Sequence, residues 1–185
     1  LGYFPFGTTQ YEEPHDVEKV ENGWVISGHA GTTDFRTHSV FMQFVNENGS
    51  SGKYLAFGSQ DHDGAESMVI FRDKIHIAAR SASMDLDQDV YYVKTDMNGE
   101  LLEEKWIGTE NEDPGYGLFV DAHQVLITGY SLNPVSGRKE ILLLRHRQFR
   151  PRSLDPHPDC WPRVAGHRAL GRSRGRVHRR ALWRL

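Results

Sequence analysis

The segment Phe57-Gly58-Ser59-Gln60-Asp61-His62-Asp63-Gly64 has two counterparts elsewhere in the chain. Phe6-Gly7 with Glu12 lies 51 residues before it, and Ile107-Gly108 with Asp113 lies 50 residues after it. Working outward, the match extends into neighbouring blocks. An alternating apolar run closed by a small residue recurs as Trp24-Val25-Ile26-Ser27-Gly28, Ile75-His76-Ile77-Ala78-Ala79 and Val125-Leu126-Ile127-Thr128-Gly129. A further apolar block recurs as Val40 to Phe44, Val90 to Lys94 and Ile141 to Arg145, and the first two copies end in Asn46-Glu47-Asn48-Gly49 and Asp96-Met97-Asn98-Gly99. Several blocks that match at one period of about fifty residues are the mark of a repeated structural unit.

Each copy divides into about four short segments rich in Val, Ile, Phe and Tyr, at 13–18, 23–29, 39–45 and 52–57 in the first. Gly, Asn, Asp and Ser separate them, as expected of strands joined by hairpin turns. Asn48-Gly49 and Asn98-Gly99 predict two-residue type I′ turns between the third and fourth strands, because Asn and Gly tolerate positive φ best. Period-2 alternation dominates and no long 3.6-residue stripe appears, which disfavours a helical bundle. Four strands per unit of this length exceed the usual β-solenoid repeat and match a β-propeller blade. The expected fold is all-β: a partial β-propeller in residues 1–149, with three four-stranded antiparallel blades at 6–56, 57–106 and 107–149, followed by a basic tail at 150–185. A parent with more blades would be needed to close the ring.

The pattern resembles a bacterial secreted or envelope β-propeller repeat family. Its consensus runs aromatic-Gly, an acid, Asp/Asn-Gly-aromatic, a closing Gly, an apolar strand and Asp-x-x-Gly. Here those elements are Phe6-Gly7, Glu12, Asn22-Gly23-Trp24, Gly28, Val40 to Phe44 and Asn46 to Gly49. The second copy departs from it at Arg72-Asp73-Lys74, and the third at Asp121-Ala122-His123. The resemblance implies architecture and a secreted, periplasmic or envelope-associated setting, and it implies no chemistry.

The formal net charge of −3 conceals a division. Residues 1–144 hold 23 acidic against 10 basic residues, a net charge of −13, while 145–185 hold 2 against 12, a net charge of +10. A basic arm would suit nucleic acid, but all six lysines precede residue 145 and the tail has arginine alone among the basic pair. The third copy also loses its turn after Arg145. The codons of His146-Arg147-Gln148-Phe149-Arg150, read one base later, permit an Asp and a Gly at the missing places. The tail therefore reads as an out-of-frame product, expected to be poorly ordered, and no nucleic-acid partner is expected. No stretch approaches the roughly 18 apolar residues of a membrane span, so the chain reads as soluble. It opens on Leu1 with no Met and no leader, and the one cysteine, Cys160, lies in the tail, which excludes disulfides within the body.

Asp85-Leu86-Asp87-Gln88-Asp89 places three carboxylates at alternate positions, the opening spacing of an oxygen-ligand calcium loop. Asp85, Asp87 and Asp89 are thus the candidate calcium ligands, without the Gly and distal Glu that complete such a loop. No other cofactor is expected and no catalytic residue is assigned. The repeated acids at 12, 63 and 113 are expected to cap the turn beside the Phe-Gly step. His15, His29, His38, His62, His76 and His123 show no ligand spacing and read as surface or turn residues, and Trp24 and Trp106 as packing between blades. The expected function is a non-enzymatic binding or scaffold module that presents loops to a protein or glycan partner. The alternative is a fragment of a propeller enzyme, a hydrolase, lyase or quinoprotein-like oxidoreductase. Polar residues that differ from blade to blade and converge on the axis would distinguish the enzyme.

Overall fold

A computed structural model describes residues 5, 7–31, 38–59, 61–82 and 87–147. The tail expected at 150–185 lies outside the described residues, as does Asp85. The described chain is all-β, with eleven strands in three antiparallel sheets. The first sheet is the meander β1 (Tyr11–Val20), β2 (Gly23–Gly31), β3 (His38–Asn46) and β4 (Ser51–Phe57). The second repeats that order with β5 (Asp63–Ile70), β6 (Lys74–Ser81), β7 (Asp89–Asp96) and β8 (Leu101–Ile107). The third contains β9 (Gly115–Val120), β10 (Gln124–Leu132) and β11 (Lys139–Arg147), so among the described residues it has three strands where the repeat predicts four.

Period-2 alternation decides which side chains are buried. In the second sheet Ile77 and Tyr91 pack toward the first sheet, against Val25, Val40 and Met42. Their neighbours Ala78 and Tyr92 pack the other way, against Val125, Ile127 and Leu144 of the third sheet. A sheet covered on both faces needs strands that are apolar at consecutive positions, which is why β6 and β7 read as nearly unbroken apolar runs. Each fully buried Ile or Val contributes about 1.5–3 kcal/mol. Trp106 stacks on Tyr91 at 4.6 Å and joins the first core, as expected. Trp24 instead faces outward, 37% exposed, with the Lys19 ammonium 4.7 Å above its ring.

The repeated acids have the expected structural task. Glu12 accepts the Thr8 N–H at 2.8 Å, Asp63 the Ser59 N–H at 2.5 Å and Asp113 the Thr109 N–H at 2.6 Å. In each case the donor follows the Gly of the Phe-Gly or Ile-Gly step. Adjacent sheets are stitched at matching positions, by parallel bridges between His38 and His62 and between Asp89 and Asp113. The His38 N–H donates to Asp61 O at 2.8 Å, and the Asp113 N–H to Gln88 O at 2.6 Å.

The Asn-Gly turns differ from expectation. Gly49 and Gly99 have φ of 80° and 79°, but Asn48 and Asn98 are not at positive φ. The Gly49 N–H donates to Asn46 O at 2.8 Å and the Asn46 N–H to Ser50 O at 2.9 Å, the pattern of a type I turn closed by a glycine bulge. The Asp96 carboxylate holds the second such loop by accepting from the Asn98 and Glu100 N–H groups. The tight two-residue turn lies instead at Arg72 and Asp73, with φ of 48° and 55°, where Phe71 and Lys74 exchange both backbone bonds. Two side chains in the left-handed region are strained. Replacing Arg72-Asp73 by Asn-Gly is expected to raise stability by about 1–2 kcal/mol, read as a higher denaturant midpoint; an unchanged or lower midpoint would contradict the turn geometry.

Candidate functional site

One irregularity recurs in the first strand of every sheet. Pairing slips between Pro14 and Asp16 in β1, between Ala65 and Ser67 in β5, and between Gly115 and Gly117 in β9. The residue left out of the ladder is His15, Glu66 or Tyr116, at the repeat offsets of 51 and 50. A β-bulge of this kind re-aims one side chain while the strand continues. Beyond the first bulge, Asp16 accepts the Met68 N–H at 2.7 Å and ties β1 to β5.

Two of the re-aimed side chains, His15 and Glu66, meet at the end of the sheets where these strands begin, and the charge of Glu66 also acts on Tyr116. His15 Nδ1 lies 3.2 Å from Glu66 Oε2, and Glu66 Oε1 lies 2.8 Å from Arg80 Nε. On the other side of the His15 ring, Nε2 stands 3.6 Å from Glu13 Oε1, and Glu13 Oε2 stands 3.5 Å from His29 Nε2. Glu13 also accepts from the Tyr11 hydroxyl at 2.8 Å. That bond and the neighbouring His29 hold its carboxyl below the usual range.

Four histidines from three strands and a loop form a row. Ring centroids are 5.1 Å apart between His15 and His29, 5.1 Å between His29 and His38, and 5.2 Å between His38 and His62. The two Nδ1 atoms of His38 and His62 are 3.1 Å apart, so one donates to the other. His29 is 8% exposed and its Nδ1 has no hydrogen-bond partner. Burial pushes its pKa down, and burial followed by the charges of His62 and Arg80 does the same for His38. Both shifts favour the neutral form of the His29 and His38 rings.

Tyr116, 40% exposed and within reach of the charges of Arg80 and Glu66, lies 6.1 Å from the Tyr130 ring. The Tyr130 hydroxyl donates to Glu112 at 2.9 Å, and Lys139 Nζ sits 3.8 Å from its ring centroid. The third sheet thus adds two aromatic rings flanked by an acid and a base.

Of the calcium candidates, Asp87 and Asp89 take no part in this cluster. Asp87 is half-buried ahead of β7, and Asp89 opens that strand, 5% exposed and paired with Asp113. Among the described residues, the group of three metal-binding side chains with ligand atoms within 4.8 Å of one another is Glu13, His15 and His29. His123 sits in a turn as expected, its N–H bonded to Asp121, but His76 is 1% exposed and bonded to Tyr92 at 2.7 Å. The histidine row has no helical ligand spacing because strand register and a bulge, not sequence proximity, bring it together. The usable signal was the repeat itself: superposing the copies places His15, Glu66 and Tyr116 at one position with three different chemistries. No family model matches this chain, and a search of the curated proteins found no match to it.

Proposed function

We propose that the three sheets are consecutive blades of a β-propeller, and that the chain is a non-enzymatic module that binds a glycan at the end where β1, β5 and β9 begin. The observation that carries this is the pair of rings that the third sheet adds beside the bulges, Tyr116 and Tyr130, 6.1 Å apart with Tyr116 40% exposed. A position used only for architecture keeps its residue from copy to copy, as the turn-capping acids do. The bulge position instead carries His15, Glu66 and Tyr116, with the first two in contact at 3.2 Å.

The packing of sheets supports the blade arrangement. β5 packs on β1 and β2, and β9 on β5 and β6, so first strands adjoin first strands, as consecutive blades require. On the third sheet, the face turned from the second leaves Phe119 54% and Ile141 93% exposed, the apolar surface on which a further blade would pack. The glycan assignment rests on Tyr116 and Tyr130, which offer faces for stacking on a sugar ring, and on Glu112, Glu66, Arg80 and Lys139, which offer acceptors and donors for its hydroxyls. A secreted or envelope setting accords with such a ligand. No described helix is long and apolar enough to cross a membrane.

Retention on immobilised polysaccharides tests this reading. Tyr116→Ala is expected to weaken retention by about 10–30-fold, the loss typical of an aromatic anchor. Absence of retention by the folded chain, or retention indifferent to Tyr116, would refute it, and capture of a protein ligand by the same face would replace glycan with protein. A second reading, a fragment of a propeller enzyme, is favoured by the convergence of non-repeating polar groups, since Glu13, His15 and Glu66 offer acid and base partners within proton-transfer reach. Turnover of a retained glycan, lost in His15→Ala, would select it.

A further inference from the structure

We propose that Glu13, His15 and His29 form a binding site for a divalent transition-metal cation of the zinc class. All three belong to the β1–β2 pair of the first sheet, so the site does not depend on the propeller arrangement or on a glycan ligand.

The distances fit the chemistry. Zinc is held by imidazole nitrogens and carboxylate oxygens at about 2.0–2.2 Å, so neighbouring ligand atoms of a tetrahedron stand about 3.4 Å apart. Glu13 Oε1 and Oε2 lie 3.6 Å and 3.5 Å from the Nε2 atoms of His15 and His29. Those separations are long for hydrogen bonds, and one ligand atom from each of the three side chains lies within 4.8 Å of the others, so that a small inward shift brings them round one cation. Two imidazoles and one carboxylate are an established zinc donor set, completed by water or substrate, and the Glu13 side chain, 50% exposed, leaves the fourth position open to solvent.

The surroundings orient the ligands as metal sites require. A ligating histidine ordinarily donates its second ring N–H to a carboxylate, which fixes the tautomer and makes the other nitrogen more basic. His15 Nδ1 lies 3.2 Å from Glu66 Oε2, and Arg80 holds the other oxygen of Glu66 at 2.8 Å. With its proton toward Glu66, His15 turns the lone pair of Nε2 toward Glu13, where an acceptor faces an acceptor until a cation lies between them. His29 supplies the second, independent observation. Its side chain is 10% exposed, and Nε2 faces Glu13 Oε2 at 3.5 Å.

The test is titration of the purified full chain with zinc by calorimetry at pH 7, with cobalt substituted for its visible spectrum. One zinc per chain is expected, with a cobalt spectrum of tetrahedral nitrogen and oxygen ligation. His15→Ala and His29→Ala are expected to abolish that binding, and Glu66→Gln to weaken it about 10–100-fold through loss of the orienting carboxylate. His123→Ala, in a distant turn, is expected to leave it unchanged. Should His29→Ala fail to fold, His15→Ala, whose side chain is 20% exposed, carries the test together with the thermal shift of the wild-type chain by zinc. Folded wild-type chain that takes up no zinc, or stoichiometry undiminished in His15→Ala, overturns the site. Either outcome leaves polysaccharide retention through Tyr116 to be judged separately.

Discussion

Gly28→Ala is expected to cost about 3 kcal/mol or more, lowering the thermal midpoint by about 10 °C for a chain of this size. A Cβ at this position would lie 2.0 Å from the carbonyl oxygen of Glu13, 2.8 Å from Pro14 Cα and 2.8 Å from Phe41 Cε1. Two of those three atoms are backbone, which cannot rotate away as a flexible side chain would. The crowding arises where the Glu13–Pro14 backbone of β1 passes over Gly28, its ladder partner in β2. The third sheet repeats the arrangement, with Gly129 Cβ predicted 1.9 Å from Pro114 O. In the second sheet Ala79 occupies the matching place, fully buried, and makes the control: Ala79→Gly is expected to cost only about 1 kcal/mol, from backbone entropy and lost contact. Equal costs for the two changes, measured by thermal or denaturant unfolding, would show that backbone crowding is not what keeps Gly28.

Acidification from pH 7 to pH 4 is expected to remove about 3 kcal/mol of stability through His76 alone. His76 is 1% exposed between β5 and β7, with Nδ1 bonded to the Tyr92 hydroxyl at 2.7 Å. Burial, followed by the positive charge of Lys94, pushes its pKa from 6.5 down to about 4, against an opposing pull from Glu103. An unfolded histidine takes up its proton near pH 6.5. Between there and pH 4 the unfolded chain therefore binds one more proton than the folded one, and stability rises with pH across that window. The contribution is complete above pH 6.5 and is lost as pH falls toward 4. Glu103, held down to about 2 chiefly by His146, acts in the same direction below the ordinary carboxylate range. Denaturant unfolding from pH 7 to pH 4 on wild type and His76→Gln isolates the histidine. The variant is expected to be about 1 kcal/mol less stable at pH 7, from an impaired bond to Tyr92, and distinctly flatter below pH 6.5. Parallel curves would place the acid sensitivity elsewhere.

Much of the architecture was written in the sequence. Strands read at 23–29 and 39–45 were found at Gly23–Gly31 and His38–Asn46, because alternation and turn residues are local signals. The acids at 12, 63 and 113 were equally legible, since each bonds a backbone group four residues before it. The turn at Asn48-Gly49 was misread because Asn-Gly suits both a two-residue turn and a type I turn with a glycine bulge. Which one forms depends on the slip between Gln43 and Val45 in the ladder with β4. The site was hidden for a related reason. His15 and His29 are 14 residues apart, and no helical or loop spacing links them; only the hairpin register, which sets Glu13 opposite His29, and the bulge, which turns His15 to the same side, unite them.

The bulges also bear on how such a chain can change over time. A paired strand residue answers to two neighbours and to the face it occupies, so substitutions there disturb the sheet. The extra residue of a bulge has no partner in the ladder, and it protrudes where all three first strands start. The three sheets can therefore differ at that place while the surrounding pairing stays intact. Histidine, glutamate and tyrosine at a single repeat position record that freedom, and they make the bulge the natural place to write new recognition into this scaffold by design.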